Sequence, residues 1–406
     1  MRHVEHLRYK LHLAYCLGMR SPCVPFDVVH VSSAHPWTDN RIHRREAASA
    51  AAAGYRTALV AVAEPTEQPD DDWSHPEQDT GVYVRRIPRR PRKARVLRST
   101  VEAVGCALSS RAAVVHFHDP ELVWAVPVLR ALGRRVVYDA HEDLPDQVRS
   151  KPYLRPALRA AGVGLARVAL AIARRADAVI AATPEIASRL HPTPTTIVRN
   201  FPRAVGEAVD EPTTRPLRAV YIGALSTDRG VGVLVRAAAA PDLPDGWVVT
   251  TAGRADADAE RLLTASSRSD RGVEHRGVLH PVDAAELLRT ARVGLLPLLP
   301  TPAYSRSIPT KLFEYMAAGL AVVATDIPAW RELLDGVDCV TWVPADDAAA
   351  VVAALRRYSD DPALLSRHAA AGRGAAHARF RWEHEERQLL AVYSELFTAR
   401  PTYLAG

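Results

Sequence analysis

Two doubly wound α/β halves are the architecture this sequence predicts. Short apolar runs alternate with amphipathic stretches, as strands and helices do in a parallel sheet. The alternation pauses once, in a polar, proline-bearing stretch, and then restarts. The 406 residues suffice for two or three domains at roughly 150 residues each.

In chain order, residues 27–31 (DVVHV) read as a buried strand, 41–53 as a helix stopped by Gly54, and 56–62 as the next strand. Residues 114–117, 135–138 and 178–182 give further strands, with helical stretches between them. Residues 204–216 (AVGEAVDEPTTRP) lack periodicity and read as a linker. Strand 218–222, a glycine-flanked loop and helix 231–240 reopen the pattern, followed by strands at 247–251, 293–297 and 321–324. Residues 380–397 read as a long last helix. The expected division is an extension at 1–26, a first domain at 27–203, a second at 204–379 and a terminal helix at 380–406. In open sheets of this kind ligands sit at the carboxyl ends of the strands.

Composition excludes other classes. Hydrophobic residues make up 48% and charged residues 24%, which suits a globular chain and neither a disordered nor a fibrous one. The net charge of +6 is carried almost wholly by arginine; Lys10, Lys93, Lys151 and Lys311 are the only lysines. Cys16, Cys23, Cys106 and Cys339 form no CxxC pair, so a zinc ribbon or disulfide framework is not expected, and a reducing cytosol is the easiest home. Arg159, Arg167, Arg174 and Arg175 interrupt the apolar stretch 156–182, which argues against a membrane span. Residues 1–26 start basic but lack a clean apolar core, so they read as a surface helix or an early start rather than a signal peptide.

Three segments carry chemistry. In 305–326 (SRSIPTKLFEYMAAGLAVVATD), Pro309 suits the first turn of a helix ending at Gly319. The backbone N–H groups at that helix start form an anion site. Glu314, one turn in, can accept two hydrogen bonds from a ribose diol; the plain alternative is a surface Glu–Lys pair. In 221–231 (YIGALSTDRGV), Gly223 and Gly230 permit a tight path and Arg229 adds a cation, which suits a diphosphate. A plain strand–helix connection would also use these glycines. The third segment joins His116, His118, Asp119 and Glu121 to Asp139, His141, Glu142 and Asp143, each group ending a strand. Metal binding, acid–base work and helix capping are all open to it, with metal the least favoured because no ligand set has a recognised spacing. Asp70, Asp71 and Asp72 read as a solvated acidic loop. The basic run from Arg85 to Arg98 has no interleaved aromatics for base stacking, so nucleic acid is not an expected partner. It reads as a solvated loop or as a contact with anionic lipid or a phosphorylated acceptor.

Taken together, HFHDPELVWAVPVLRALGRRVVYDAHED, VRNFP, YIGALSTDRG and PTKLFEYMAAGLAVVATDIPAWRELL resemble a GT-B glycosyltransferase of the family 4 type, from about Asp27 to the end of the chain. The resemblance implies two Rossmann-like domains with an active site between them. It also implies a nucleotide-sugar donor (a UDP- or GDP-sugar) on the second domain, an acceptor on the first, and a last helix crossing back. Transfer would retain configuration, with no cofactor and no metal. On this resemblance His141 is the catalytic histidine. The donor-binding residues are Gly223, Arg229, Arg254, Val282, Pro309, Thr310, Lys311 and Glu314, with Val282 meeting the base through its backbone. Asp39, Arg41, His118, Asp119 and Glu121 are acceptor-side candidates. Two departures stand out: Arg306 where the family often has a sugar-gripping glutamate, and Ala224 where it often has arginine. Lys311 and the helix start are expected to compensate. A GT-B nucleotide-sugar epimerase and a non-catalytic transferase-like scaffold are the alternatives. The enzyme is expected in the cytoplasm, with peripheral contact at the inner membrane face through Arg85–Arg98.

Overall fold

A computed structural model describes residues 25–398 except 71, 74, 142, 150–154, 204–210, 270 and 302–303, and leaves out the side chains of Arg92 and Arg306. Residues 1–24 of the expected extension at 1–26, residues 204–210 of the linker at 204–216, and Glu142 lie outside the described residues. The chain divides into two compact units, residues 1–200 with 385–406 and residues 201–384.

The first unit holds strands β1 (Val28–Pro36), β2 (Thr57–Val62), β3 (Tyr83–Ile87), β4 (Val114–Phe117), β5 (Arg135–Ala140), β6 (Ala178–Ala181) and β7 (Thr195–Ile197). They form one sheet ordered β3-β2-β1-β4-β5-β6-β7, with parallel pairing throughout. Strands such as β2 (TALVAV) are buried along their whole length, as expected where helices cover both faces. The order reverses between β1 and β4, which pair from Val28↔Val114 to Val31↔Phe117. The loops leaving their carboxyl ends part there and open a crevice.

The second unit repeats the plan with β8 (Arg218–Ile222), β9 (Val248–Ala252), β10 (Glu274–His275), β11 (Val293–Leu296), β12 (Ala321–Thr325) and β13 (Val340–Val343). Their order is β10-β9-β8-β11-β12-β13, so this reversal lies between β8 and β11. Phe201, Phe313 and Phe380 pack ring on ring in its core, with centroids 4.8 to 5.5 Å apart. The last helix, Trp382–Thr398, belongs to the first unit from Glu385 onward.

Two local readings change. The 41–53 segment opens as a π-helix at Ile42–Ala47 before turning α-helical at Ala48–Ala52. The acidic loop and the basic run are joined in part, while Asp72, Lys93 and Arg98 stay exposed as expected. Asp70 takes Arg86 in a two-point bond at 2.7 and 2.8 Å, and Glu67 and Glu64 lie 3.6 and 3.7 Å from Arg86 and Arg89. Arg90 pairs with Glu102 and Arg95 with Glu121. Arg85 and Arg86 sit on strand β3 rather than in a loop.

Candidate functional site

In the second unit the loop after β8 and the helix Thr310–Ala317 after β11 both leave the switch point of the sheet. Gly223 has φ +149, a conformation open mainly to glycine. A Cβ there would fall 2.0 Å from Lys311 Cε and 2.7 Å from Nζ. The Lys311 side chain therefore lies directly against the Gly223 backbone, and the missing side chain makes room for it. Gly253 is held to the same loop, since a Cβ on it would meet the Gly223 carbonyl at 2.0 Å. Gly230, at φ +77, gives the same close approach to the Pro297 carbonyl.

Three charged side chains gather on this frame. Burial pushes the Lys311 ammonium below its ordinary pKa; Arg229 adds to the effect and Glu314 opposes it. Arg229 also stands over the Tyr304 ring, 5.9 Å from its centroid. Glu314 is one helical turn from the start of Thr310–Ala317, facing partly outward. Pro309 occupies the capping position before this helix rather than its first turn, because its ψ of 101° is extended. The N–H groups of Thr310 and Lys311 follow it and have no intrahelical partner. Arg254 is exposed, and its carbonyl accepts from Leu225 N at 2.8 Å. Val282 stands second in the helix Pro281–Arg289, exposed, with only its backbone able to bond a ligand. Glu314→Ala is expected to weaken binding of the nucleoside diphosphate by tenfold or more, because charge-assisted hydrogen bonds are worth roughly 1.5–3 kcal/mol each. Unchanged affinity by calorimetry in a folded variant would remove Glu314 from the site.

The first unit builds its cluster at the β1/β4 switch point, mostly from buried groups. Asp139 accepts from Arg41 Nε and Nη2 at 2.9 and 2.7 Å, and His118 Nδ1 lies 3.1 Å from it. Burial alone would raise its pKa, but the Arg41 guanidinium and two histidines hold it well below the ordinary carboxylate range. His141 Nδ1 lies 3.3 Å from Asp139 Oδ2, and its side chain is one-fifth exposed. The carboxylate stands beside one edge of the ring without a hydrogen bond to it, and Nε2 occupies the other edge. The His35 ring meets it edge-on, with centroids 5.5 Å apart.

The five acceptor-side candidates all have internal partners. Asp39 accepts from the N–H groups of Arg41 and Ile42 and starts the π-helix. Arg41 spends its donors on Asp139 and the Val198 carbonyl. Asp119 accepts from Ser32 Oγ, Ser33 N and Ala34 N and bonds His35. Against the effect of burial, these donors bring its pKa down to about 2. Glu121 holds Arg95 at 2.9 Å. His118 is fully buried. These side chains brace the strand ends and leave His141 and His35 as the partly exposed imidazoles.

Sequence reasoning missed what lies behind Asp139. His118 donates from Nδ1, since a carboxylate only accepts. Its Nε2 then accepts from His30 Nδ1 at 3.0 Å. His30 Nε2 in turn accepts from the Tyr393 hydroxyl at 3.2 Å, and that oxygen accepts from His116 Nδ1 at 2.7 Å. This leaves His116 Nε2 as a bare lone pair 3.8 Å from Glu46 Oε2. Glu46, fully buried, has its pKa raised first by burial and then by Asp139. Glu46 Oε1 also lies 3.0 Å from Arg41 Nε, so its carboxyl sits between that guanidinium and the His116 lone pair without a hydrogen bond to either. His30, Glu46, His116 and His118 offer ligand atoms within 4.8 Å of one another, but two of the imidazole lone pairs a metal would need already accept hydrogen bonds. The spacing His116-x-His118 was the visible signal; Tyr393 and Glu46 come from distant segments.

Comparison with known proteins agrees with this geometry. Residues 40–193 match the glycosyl transferase 4-like domain, and residues 216–361 match glycosyl transferases group 1. Phosphatidyl-myo-inositol mannosyltransferase of Mycolicibacterium smegmatis is 32% identical over 166 residues, 40% of this chain and 41% of that protein. The chain thus spans about two fifths of the length of that curated relative. Among solved structures, sucrose-phosphate synthase from Thermosynechococcus elongatus has a TM-score of 0.71 at 19% identity, covering 93% of this chain and all of that one. The Anabaena protein HepE, solved with UDP-glucose, has a TM-score of 0.66 at 14% identity, covering 91% of this chain and all of that one. With two parallel-sheet units, both family domains in order and the GT-B fold of these structures, the chain belongs to the GT-B glycosyltransferases of the family 4 type.

Proposed function

We propose that the protein moves a hexose-type sugar, with retention of configuration and without a metal, from a UDP- or GDP-sugar to an acceptor. The acceptor class is a polysaccharide or glycolipid precursor or a small metabolite. The observation that carries this reading is Lys311 seated in the space left by Gly223, with Arg229 and Glu314 beside it. That set supplies two cations for a diphosphate and one carboxylate for a ribose. Arg254, Val282 and the N–H groups after Pro309 extend it toward the rest of the nucleotide. Two cations and a helix start take the place a metal would fill at the departing diphosphate. HepE was solved with UDP-glucose and the Mycolicibacterium relative is named for mannose transfer, so glucose and mannose donors both belong in the panel.

His141 serves the transfer step. Its ring stands beside the Asp139 carboxylate, so it supports the sugar as positive charge develops. The departing phosphate oxygen takes the acceptor proton. A cytoplasmic enzyme, with its donor made in the same compartment, fits this chemistry. His141→Ala is expected to lower kcat and kcat/KM together by about a hundredfold or more while nucleotide affinity survives, the pattern of lost transition-state support. The assay is nucleotide release from a panel of UDP- and GDP-sugars, run with and without chelator. Wild-type turnover in the variant would move the role to His35, and turnover abolished by chelator would overturn the metal-free mechanism.

A further inference from the structure

The helix Pro156–Ala173 is apolar on both faces. Ala166, Leu170 and Ala173 are buried on one side. On the other, Leu158, Leu165 and Val168 are 60%, 71% and 55% exposed. With Ala161 they fall at helical spacing, where a soluble helix carries polar residues. Trp124 and Val128, on the segments packed beside it, are also exposed. From 155 to 175 the chain has Arg155, Arg159, Arg167, Arg174 and Arg175 and no acidic residue.

We propose that this helix face, with Trp124 at its side, seats the first unit on an anionic lipid surface. The inference is independent of the donor chemistry above. The helix is long and apolar enough to cross a membrane by composition, but its inner face is committed to the fold. A Cβ on Gly162 would come 2.9 Å from Val148, so the helix lies tight against Leu144–Arg149 and must lie flat. An aliphatic stripe, an amphipathic tryptophan and flanking arginines are what an interfacial helix presents to headgroups and acyl chains. The nearby carboxylates do not oppose this charge: Asp143 is held by Arg189 at 2.7 Å, Asp146 pairs with Arg149, and Glu121 pairs with Arg95. A second copy fits less well, because a twofold contact through this stripe would bring its own arginines face to face. The Arg85–Arg98 run is also the weaker surface, since Arg86, Arg89, Arg90 and Arg95 already face carboxylates.

The test is flotation of the full chain with phosphatidylcholine vesicles, with and without about one third phosphatidylglycerol. The protein is expected to float with the anionic vesicles, less so as salt rises, and to stay behind with the neutral ones. Leu158→Glu with Leu165→Glu is expected to weaken vesicle binding by about tenfold or more, while melting temperature and nucleotide affinity stay unchanged. Trp124→Ala gives a milder loss at a second point on the surface. Failure of the wild type to float, or equal flotation of the double variant, would overturn the proposal. So would a dimer that the double variant dissociates in the absence of any vesicle binding.

Discussion

Replacing Arg229 and Lys311 together by alanine is expected to reduce turnover by at least about a thousandfold. Each donor aimed at charge that develops in a transition state is worth on the order of 3 kcal/mol. No arginine follows the loop glycine, where Ala224 stands. Lys311 reaches that loop from the helix instead, against Gly223, and Arg229 comes from the loop itself. Two cations on one group share its charge, so each single variant should lose less than half the logarithm of the double loss. Lys311→Ala should be the worse of the two, because it also empties the space beside Gly223. The measurement is kcat/KM for the donor, with calorimetry of the nucleoside diphosphate alongside. Turnover near wild type in the double variant would pass the role to Arg254, the exposed arginine after β9.

Most of this frame was legible in the sequence. Buried strands such as 114–117 and 218–222 are short runs of apolar residues bounded by turn signals, and the structure has strands at Val114–Phe117 and Arg218–Ile222. Of the strands that were not anticipated, β13 (VTWV) carries a similar apolar run that was passed over, and the other three lack that signature. β3 reads YVRRI, with Arg86 turned to Asp70 and Arg85 to Ser109, and β7 and β10 are three and two residues long. Gly223, Arg229, Lys311 and Glu314 could be singled out because they lie in two continuous segments, 221–231 and 305–326. The network behind His141 was not, since it joins Glu46, His30 and Tyr393 across hundreds of residues and no local pattern pairs them. Strand-end position marked His118 and Asp119 as contacts for a ligand, but buried partners claim them. A polar residue at a strand end is a candidate for the crevice only when no neighbouring loop needs its hydrogen bonds.

The same network makes the first unit acid-labile. Burial first, and neighbouring charge second, lowers the pKa of His30 and His116 well below the ordinary 6.5. His118 and His43 are lowered too, again first by burial, with Asp139 opposing at His118 and the Trp37 carbonyl at His43. Folded, these imidazoles stay neutral below the pH at which their unfolded forms bind protons. Stability is therefore unaffected above about pH 6.5 and falls as pH drops below it, by up to roughly 1.4 kcal/mol per pH unit for each histidine. Glu46 acts in the opposite sense. Its pKa is raised, so its contribution falls as pH rises above the ordinary carboxylate value, and acid relieves it. Asp139 and Asp119 are depressed and lose their contributions only at still lower pH. Glu121 and Glu385, in the same unit, are raised as well, again first by burial, and between about pH 6.5 and 5 the four histidines outnumber these three glutamates. Calorimetric melts are thus expected to show the transition of the first unit moving down by many degrees from pH 7.5 to pH 5.5. The second unit, where His368 is the one histidine lowered among the described residues, should shift much less. His116→Gln keeps a donor for the Tyr393 hydroxyl but cannot take up a proton on unfolding, so it should flatten the dependence by about one proton. Melting that is equal at the two pH values would mean that these imidazoles titrate in place, and the one-way order of donors from Tyr393 to Asp139 would then be wrong.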